Sequence, residues 1–125
     1  MGGVTGEPRS VVFHGTATVL FGLMETTPLG STELQVSRLG FGAARIDADP
    51  EEEVATLLHR TLDLGINLID TADCYALSEE RIGRALESRR QEMVLATKCG
   101  CLSDEVQGVA YARAVIKEDV ENSLR

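Results

Sequence analysis

Three short apolar runs, each followed by a segment with helical spacing, decide what this chain can build. The runs occupy residues 38–42, 66–70 and 93–98. After the first, Asp49 is placed to N-cap a helix, with Pro50 at the first helical position and Glu52 completing a capping pattern. Val54, Leu57, Leu58, Thr61, Leu62 and Leu64 fall on one stripe, and Gly65 can close the helix in the left-handed conformation. After the second run comes a loop over residues 71–77. Ser78 is then placed to cap a helix with Glu79 and Glu80 in its first turn, Ile82, Ala85 and Leu86 on its buried side, and Arg89 and Arg90 at its C-terminal end. After the third, a loop through Gly100 and Gly108 leads to a helix over about residues 110–125, with Ile116, Val120 and Leu124 on one stripe.

Alternating strands and helices with apolar strands imply an α/β fold, a parallel sheet covered by helices. Two architectures satisfy this, an open doubly wound sheet and a (β/α)8 barrel. A closed barrel takes about 250 residues, so residues 24–125 supply roughly three units of one. Ahead of the first unit, residues 26–29 and 34–36 flank Gly30-Ser31-Thr32, a hairpin pattern. Residues 1–23 carry Gly2, Gly3, Gly6, Gly15 and Gly22 with no clear period and read as an N-terminal extension outside the fold.

Composition narrows the function classes. The net charge of −8 argues against a nucleic-acid partner, because phosphate backbones need cationic surface. No run approaches the ~18 apolar residues of a membrane span, so no membrane partner is expected. Aromatics are 4% and Trp is absent, so aliphatic side chains must form the core. Three cysteines, an odd number with sparse spacing, suit a reducing cytoplasm; Cys74, Cys99 and Cys101 are expected to be free thiols near the site mouth.

Both architectures place their sites beyond the carboxyl ends of the strands. There the second run ends in Asp70 and the third in Lys98, with Tyr75 in the loop between. Period-two alternation puts Leu68 and Asp70 on one face, and Val94, Ala96 and Lys98 on one face of the neighbouring strand. Opposite charges at neighbouring apolar strand ends are expected to pair. An ammonium within about 4–6 Å of a phenol favours the phenolate. A phenol so placed can give its proton to a carbonyl oxygen. Asp70 and Lys98 can instead form a purely structural pair. Asp73 near Asp70 raises a metal-dependent barrel hydrolase as an alternative, but no His cluster accompanies it, and no metal is expected.

The run from Gly65 to Glu79 (GINLIDTADCYALSE) resembles the aldo-keto reductase family, in which a strand ending Asp-Thr-Ala is followed by Tyr and then Ser-Glu. Residues 29–42 look like its hairpin and first strand, residues 94–98 like its lysine strand, and residues 119–124 like its third-helix segment. The resemblance implies a partial (β/α)8 TIM barrel, the hairpin plus about three βα units. It also implies NADPH-dependent reduction of a small aldehyde or ketone. Asp70, Tyr75 and Lys98 map onto three members of the family's catalytic tetrad, with Tyr75 as proton donor. Gly42, Ala43 and Ala44, with Asp70, would lie near the nicotinamide.

There are departures from the family pattern. The tetrad His has no counterpart, since His14 lies in the extension and His59 in the first helix. Ala76 stands where the family has Gly, a strained choice if that backbone needs positive φ. The residues from Met24 look like the family's usual start, so Met24 is expected to be the initiator. A chain this short is expected to show little activity alone. It can self-associate, or act without catalysis through another chain, by its unpaired sheet edges.

Overall fold

A computed structural model describes residues 24–102 and 108–124, and the extension expected over residues 1–23 lies outside them. The described chain enters through the expected hairpin. Strand β1 (Thr26–Pro28) pairs antiparallel with β2 (Gln35–Ser37), Thr27 opposite Val36. The Leu29 amide donates to the Leu34 carbonyl at 2.9 Å, and Gly30 takes φ 57° in the turn. Asn67 docks this hairpin on the rest of the chain. Its side-chain oxygen accepts from the Ser37 amide at 2.7 Å, and its side-chain nitrogen donates to the Gln35 carbonyl at 2.9 Å.

Three parallel strands follow: β3 (Gly40–Gly42), β4 (Leu68–Ala72) and β5 (Val94–Lys98). They lie side by side in chain order, with Gly42 opposite Asp70, Asp70 opposite Ala96 and Ala72 opposite Lys98. Neighbours in sequence order without a reversal are how a (β/α)8 wall is built. Two boundaries differ from the sequence reading. Arg38 donates its amide to the Glu25 carbonyl at 2.9 Å, so it extends the hairpin and β3 begins later. Asn67 serves the hairpin, so β4 begins at Leu68 and runs on to Ala72 rather than stopping at Asp70.

Helix α1 (Glu51–Asp63) starts one residue later than a cap at Asp49 predicts. Pro50 holds the cap position with ψ 143°, and its carbonyl accepts from the Glu53 and Val54 amides at 3.0 and 3.1 Å. Asp49 therefore does not cap α1; its carbonyl accepts from Arg81 at 2.6 Å. The other end is as expected. Gly65 takes φ 82°, its amide bonds the Leu62 carbonyl at 2.9 Å, and the Ile66 amide bonds the Thr61 carbonyl at 3.1 Å. This is the Schellman pattern that satisfies orphan carbonyls at a helix end. The stripe is narrower than predicted: Val54, Leu58, Thr61 and Leu62 are buried, whereas Leu57 and Leu64 are exposed.

Helix α2 (Ser78–Leu86) buries Ile82 and Leu86. Ser78 is not its cap. Its buried hydroxyl is 2.8 Å from the Thr71 hydroxyl and donates to the Ala43 carbonyl at 3.1 Å, tying the helix start to β4 and the loop after β3. Arg89, expected to complement the end of α2, instead pairs with Asp63 of α1 at 2.8 Å and with Glu92 at 2.7 Å. The helices and sheet share one core, including Val54, Leu58, Leu62, Ile69, Ile82 and Leu86. Burying each such side chain stabilises the fold by about 1.5–3 kcal/mol before chain entropy is counted.

Helix α3 (Arg113–Ser123) corrects the sequence reading most sharply. Ile116, Val120 and Leu124, the predicted stripe, are exposed, and the buried residues are Val115 and Asp119. The helix is turned so that the Asp119 carboxylate accepts the Gly100 amide at 2.5 Å. A hydrogen bond to a buried backbone donor sets its rotation, rather than apolar periodicity.

Candidate active site

Alternation along β4 separates two functions. Ile69 and Thr71 are fully buried toward the helices, and Asp70 points out of the opposite face. Lys98, the last residue of β5, stands opposite Ala72, two residues beyond Asp70 in register. The length of the lysine side chain closes that offset. Lys98 Nζ reaches Asp70 Oδ2 at 2.5 Å and also donates to the Thr71 carbonyl at 3.3 Å. The same ammonium lies 5.3 Å from the centre of the Tyr75 ring. The three residues singled out in the sequence therefore converge at one rim of the sheet.

Their surroundings differ from the expectation in one respect. Asp70 and Lys98 are about half exposed rather than desolvated. Water screens such a pair, so it adds little to folding and its value lies in placement. The hydrogen bond to Asp70 holds the Lys98 ammonium above the ordinary lysine range. The charge of Asp70 and the Tyr75 phenol act in the same direction, against partial desolvation. Lys98 is therefore a persistent cation beside a phenol.

The loop carrying Tyr75 leaves β4 through a tight turn. The Asp73 amide donates to the Lys98 carbonyl at 3.2 Å, the Tyr75 amide to Ala72 at 3.1 Å, and the Ser78 amide to Tyr75 at 2.9 Å. Ala76 has φ 44°, so the position where the family places Gly is left-handed here and occupied by a residue that resists it. Tyr75 is half-buried.

Of the residues expected near a nicotinamide, Gly42 and Ala44 are exposed; Gly42 stands opposite Asp70, and a Cβ there would meet no atom within 4 Å. Ala43 is corrected. It is fully buried in the core, its amide donates to the Asp70 carbonyl at 2.8 Å, and its carbonyl accepts from Ser78. Its side chain packs in the core and its backbone ties the rim to β4 and α2. An unobstructed glycine edge opposite Asp70 leaves room for the flat ring of a nicotinamide. The residues that would hold its ring end are Gly42, Ala44 and Asp70.

The cysteines are also corrected. Cys74 and Cys101 form a disulfide with Cα atoms 6.2 Å apart, and Cys99 is the free thiol among the described residues. Odd cysteine number and sparse spacing concealed a pair that the loops after β4 and β5 bring together. Among the described residues, no group of three or more His, Cys, Asp and Glu side chains is placed to hold a metal. No helix among the described residues is long and apolar enough to cross a membrane. Sequence reasoning also gave Glu79 only a helix-dipole role. It accepts from Thr97 of β5 at 2.5 Å and from Ser123 of α3 at 3.0 Å, joining α2 to both.

Comparison with known proteins bears on the family and the fold. The Aldo/keto reductase family model matches residues 38–125. The aldo-keto reductase YhdN of Bacillus subtilis is 37% identical over 113 residues, covering 82% of this chain and 34% of the relative. The NADH-specific methylglyoxal reductase of Escherichia coli is 40% identical over 90 residues, covering 62% of this chain and 27% of its own. The holo form of aldo-keto reductase AKR11C1 from Bacillus halodurans superposes with a TM-score of 0.70 at 39% identity, covering 82% of this chain and 36% of that structure. The chain spans about a third of the length of the curated relatives it matches. Its α/β sheet is part of a (β/α)8 barrel, and by sequence, strand order and superposition this chain belongs to the aldo/keto reductase family.

Proposed function

We propose that these residues serve NADPH-dependent reduction of a small aldehyde or ketone, with Tyr75 as the proton donor. The observation that carries this reading is the placement of Lys98 Nζ, 2.5 Å from Asp70 and 5.3 Å from the Tyr75 ring centre. A bound nicotinamide supplies the hydride. Tyr75 gives its proton to the carbonyl oxygen as negative charge develops there. Lys98 offsets the charge left on the phenol. Asp70 holds Lys98 in place and keeps it protonated. Gly42 and Ala44 leave room for the ring beside them.

The choice between NADPH and NADH rests on the resemblance, and the NADH-specific relative makes it a point to measure. The test is oxidation of each nucleotide with a simple aldehyde, by a polypeptide carrying these residues and by its Tyr75→Phe variant. Loss of the proton donor is expected to slow turnover by about 10²–10⁴-fold with nucleotide binding retained. An unchanged rate overturns the assignment. The 125 residues alone, spanning about a third of their relatives, are expected to turn over little.

A second reading has its own support. β3 and β5 each pair on one side only among the described residues, and α3 exposes Ile116, Val120 and Leu124. Open edges and apolar faces favour self-association or capture by another chain. Sedimentation of the purified chain checks this: a defined dimer or hetero-complex supports it, and a monomer overturns it. For location, the reading remains a cytoplasmic protein.

A further inference from the structure

We infer that Cys74 and Cys101 are positioning residues for Tyr75: their disulfide holds the loop that carries the phenol, and a dithiol reductant releases it. The consequence for catalysis rests on Tyr75 being the proton donor, but the tether itself does not. Cys74 immediately precedes Tyr75, and Cys101 lies three residues after Lys98. The bond therefore joins the two loops whose side chains must meet.

The loops differ in how firmly they are otherwise held. On the Lys98 side, Gly100 is fixed from two directions. Its amide donates to the fully buried Asp119 at 2.5 Å, and its carbonyl accepts from the Tyr111 amide at 2.7 Å. A Cβ at Gly100 would lie 2.5 Å from the Tyr111 ring, so the ring packs directly on the backbone. On the Tyr75 side, the backbone passes through Ala76 at φ 44°, a conformation an alanine leaves readily. A disfavoured backbone persists only where its surroundings over-determine it. Within that loop the Tyr75 amide bonds the Ala72 carbonyl at 3.1 Å and the Ser78 amide bonds the Tyr75 carbonyl at 2.9 Å, both local contacts; across the gap, the Asp73 amide donates to the Lys98 carbonyl at 3.2 Å. The disulfide is the covalent link that ties the strained loop to the fixed one.

The chemistry balances. A reductant thiolate attacks one sulfur of the disulfide to form a mixed disulfide, and its second thiolate then displaces the protein sulfur. The cystine gains two electrons and two protons to become two thiols, while the dithiol becomes a disulfide. Disulfides in a reducing compartment are usually transient and redox-sensing, which suits a bond at the rim of a site.

The experiment uses the intact 125-residue chain with dithiothreitol. The chain has two tyrosines and no tryptophan, so a Tyr111→Phe variant makes tyrosine emission a report on Tyr75 alone. Alkylation and mass measurement should find Cys99 reactive before reduction, and Cys74 and Cys101 reactive only after it. Reduction should raise iodide quenching of Tyr75, and the Asp73 amide should exchange about tenfold faster. Reoxidation should restore both. Cys74→Ser and Cys101→Ser should show the reduced behaviour with or without dithiothreitol, while still melting cooperatively. Three reactive thiols after mild oxidation overturn the proposal. So does thiol release with unchanged Tyr75 quenching. Neither readout needs turnover, so a positive result alongside an inactive Tyr75 would sink the reductase reading and leave the tether standing.

Discussion

The α1–α2 side of the sheet and the β5–α3 side are held by different forces. Helices α1 and α2 bury Val54, Leu58, Leu62, Ile82 and Leu86 against Ile69 of β4, a continuous aliphatic core. Helix α3 buries Val115 and a carboxylate, Asp119, and leaves Ile116, Val120 and Leu124 exposed. The first side is fixed by removal of apolar surface from water. The second is fixed by directed links: Asp119 to Gly100, Ser123 and Thr97 to Glu79, and the Cys74–Cys101 bond. The residues of the candidate site lie where the two regimes meet, Asp70 on the central strand and Lys98 on the last. Tyr75 sits on the loop between. A rigid core fixes one end of the arrangement, and polar and covalent links fix the other.

Substitutions on the two sides should separate these regimes. Leu58→Ala leaves a cavity in the aliphatic core and should cost about 2–5 kcal/mol in urea denaturation. A loss under ~1 kcal/mol would mean that this core is not what holds the fold. Asp119→Ala strands the Gly100 amide without its acceptor and should cost about 1–3 kcal/mol, with faster exchange around residues 98–101. Equal exchange across the whole sheet would erase the distinction between the sides. Ala76→Gly relieves a left-handed alanine and should stabilise by about 1 kcal/mol, less whatever the unfolded chain gains in entropy. Destabilisation there would contradict the strain. Val120→Ser, on the exposed face of α3, should stay within about 0.5 kcal/mol while reducing any self-association.

The meeting of three side chains was more legible in the sequence than the element boundaries. Asp70, Tyr75 and Lys98 were readable because two-residue alternation and parallel register leave little freedom over five residues of strand. The close of α1 was readable for the same reason: Gly65 has one local role, and it fills it. Ser78 and Asp49 looked like caps by local pattern. A buried hydroxyl network claims the Ser78 side chain, and Pro50 takes the capping position ahead of Asp49. Those outcomes depend on tertiary neighbours that a local pattern does not contain. The rotation of α3 escaped because one buried hydrogen bond outweighed three apolar residues. The cysteine pairing escaped because chain separation says nothing of which loops share a rim.

The central claim is electrostatic: a carboxylate holds an ammonium that faces a phenol. Because Lys98 is raised in the folded chain, whatever stability the pair adds is present below the ordinary lysine range and is lost as pH rises through the raised value. Its exposure keeps that contribution small and salt-sensitive. The direct measurement is the titration of the Lys98 side chain by NMR, in the native chain and in Asp70→Asn and Tyr75→Phe. The account predicts a native midpoint above that of an ordinary lysine, a clear drop in Asp70→Asn and a smaller drop in Tyr75→Phe. A midpoint that neither substitution moves would show that the three side chains do not share a site.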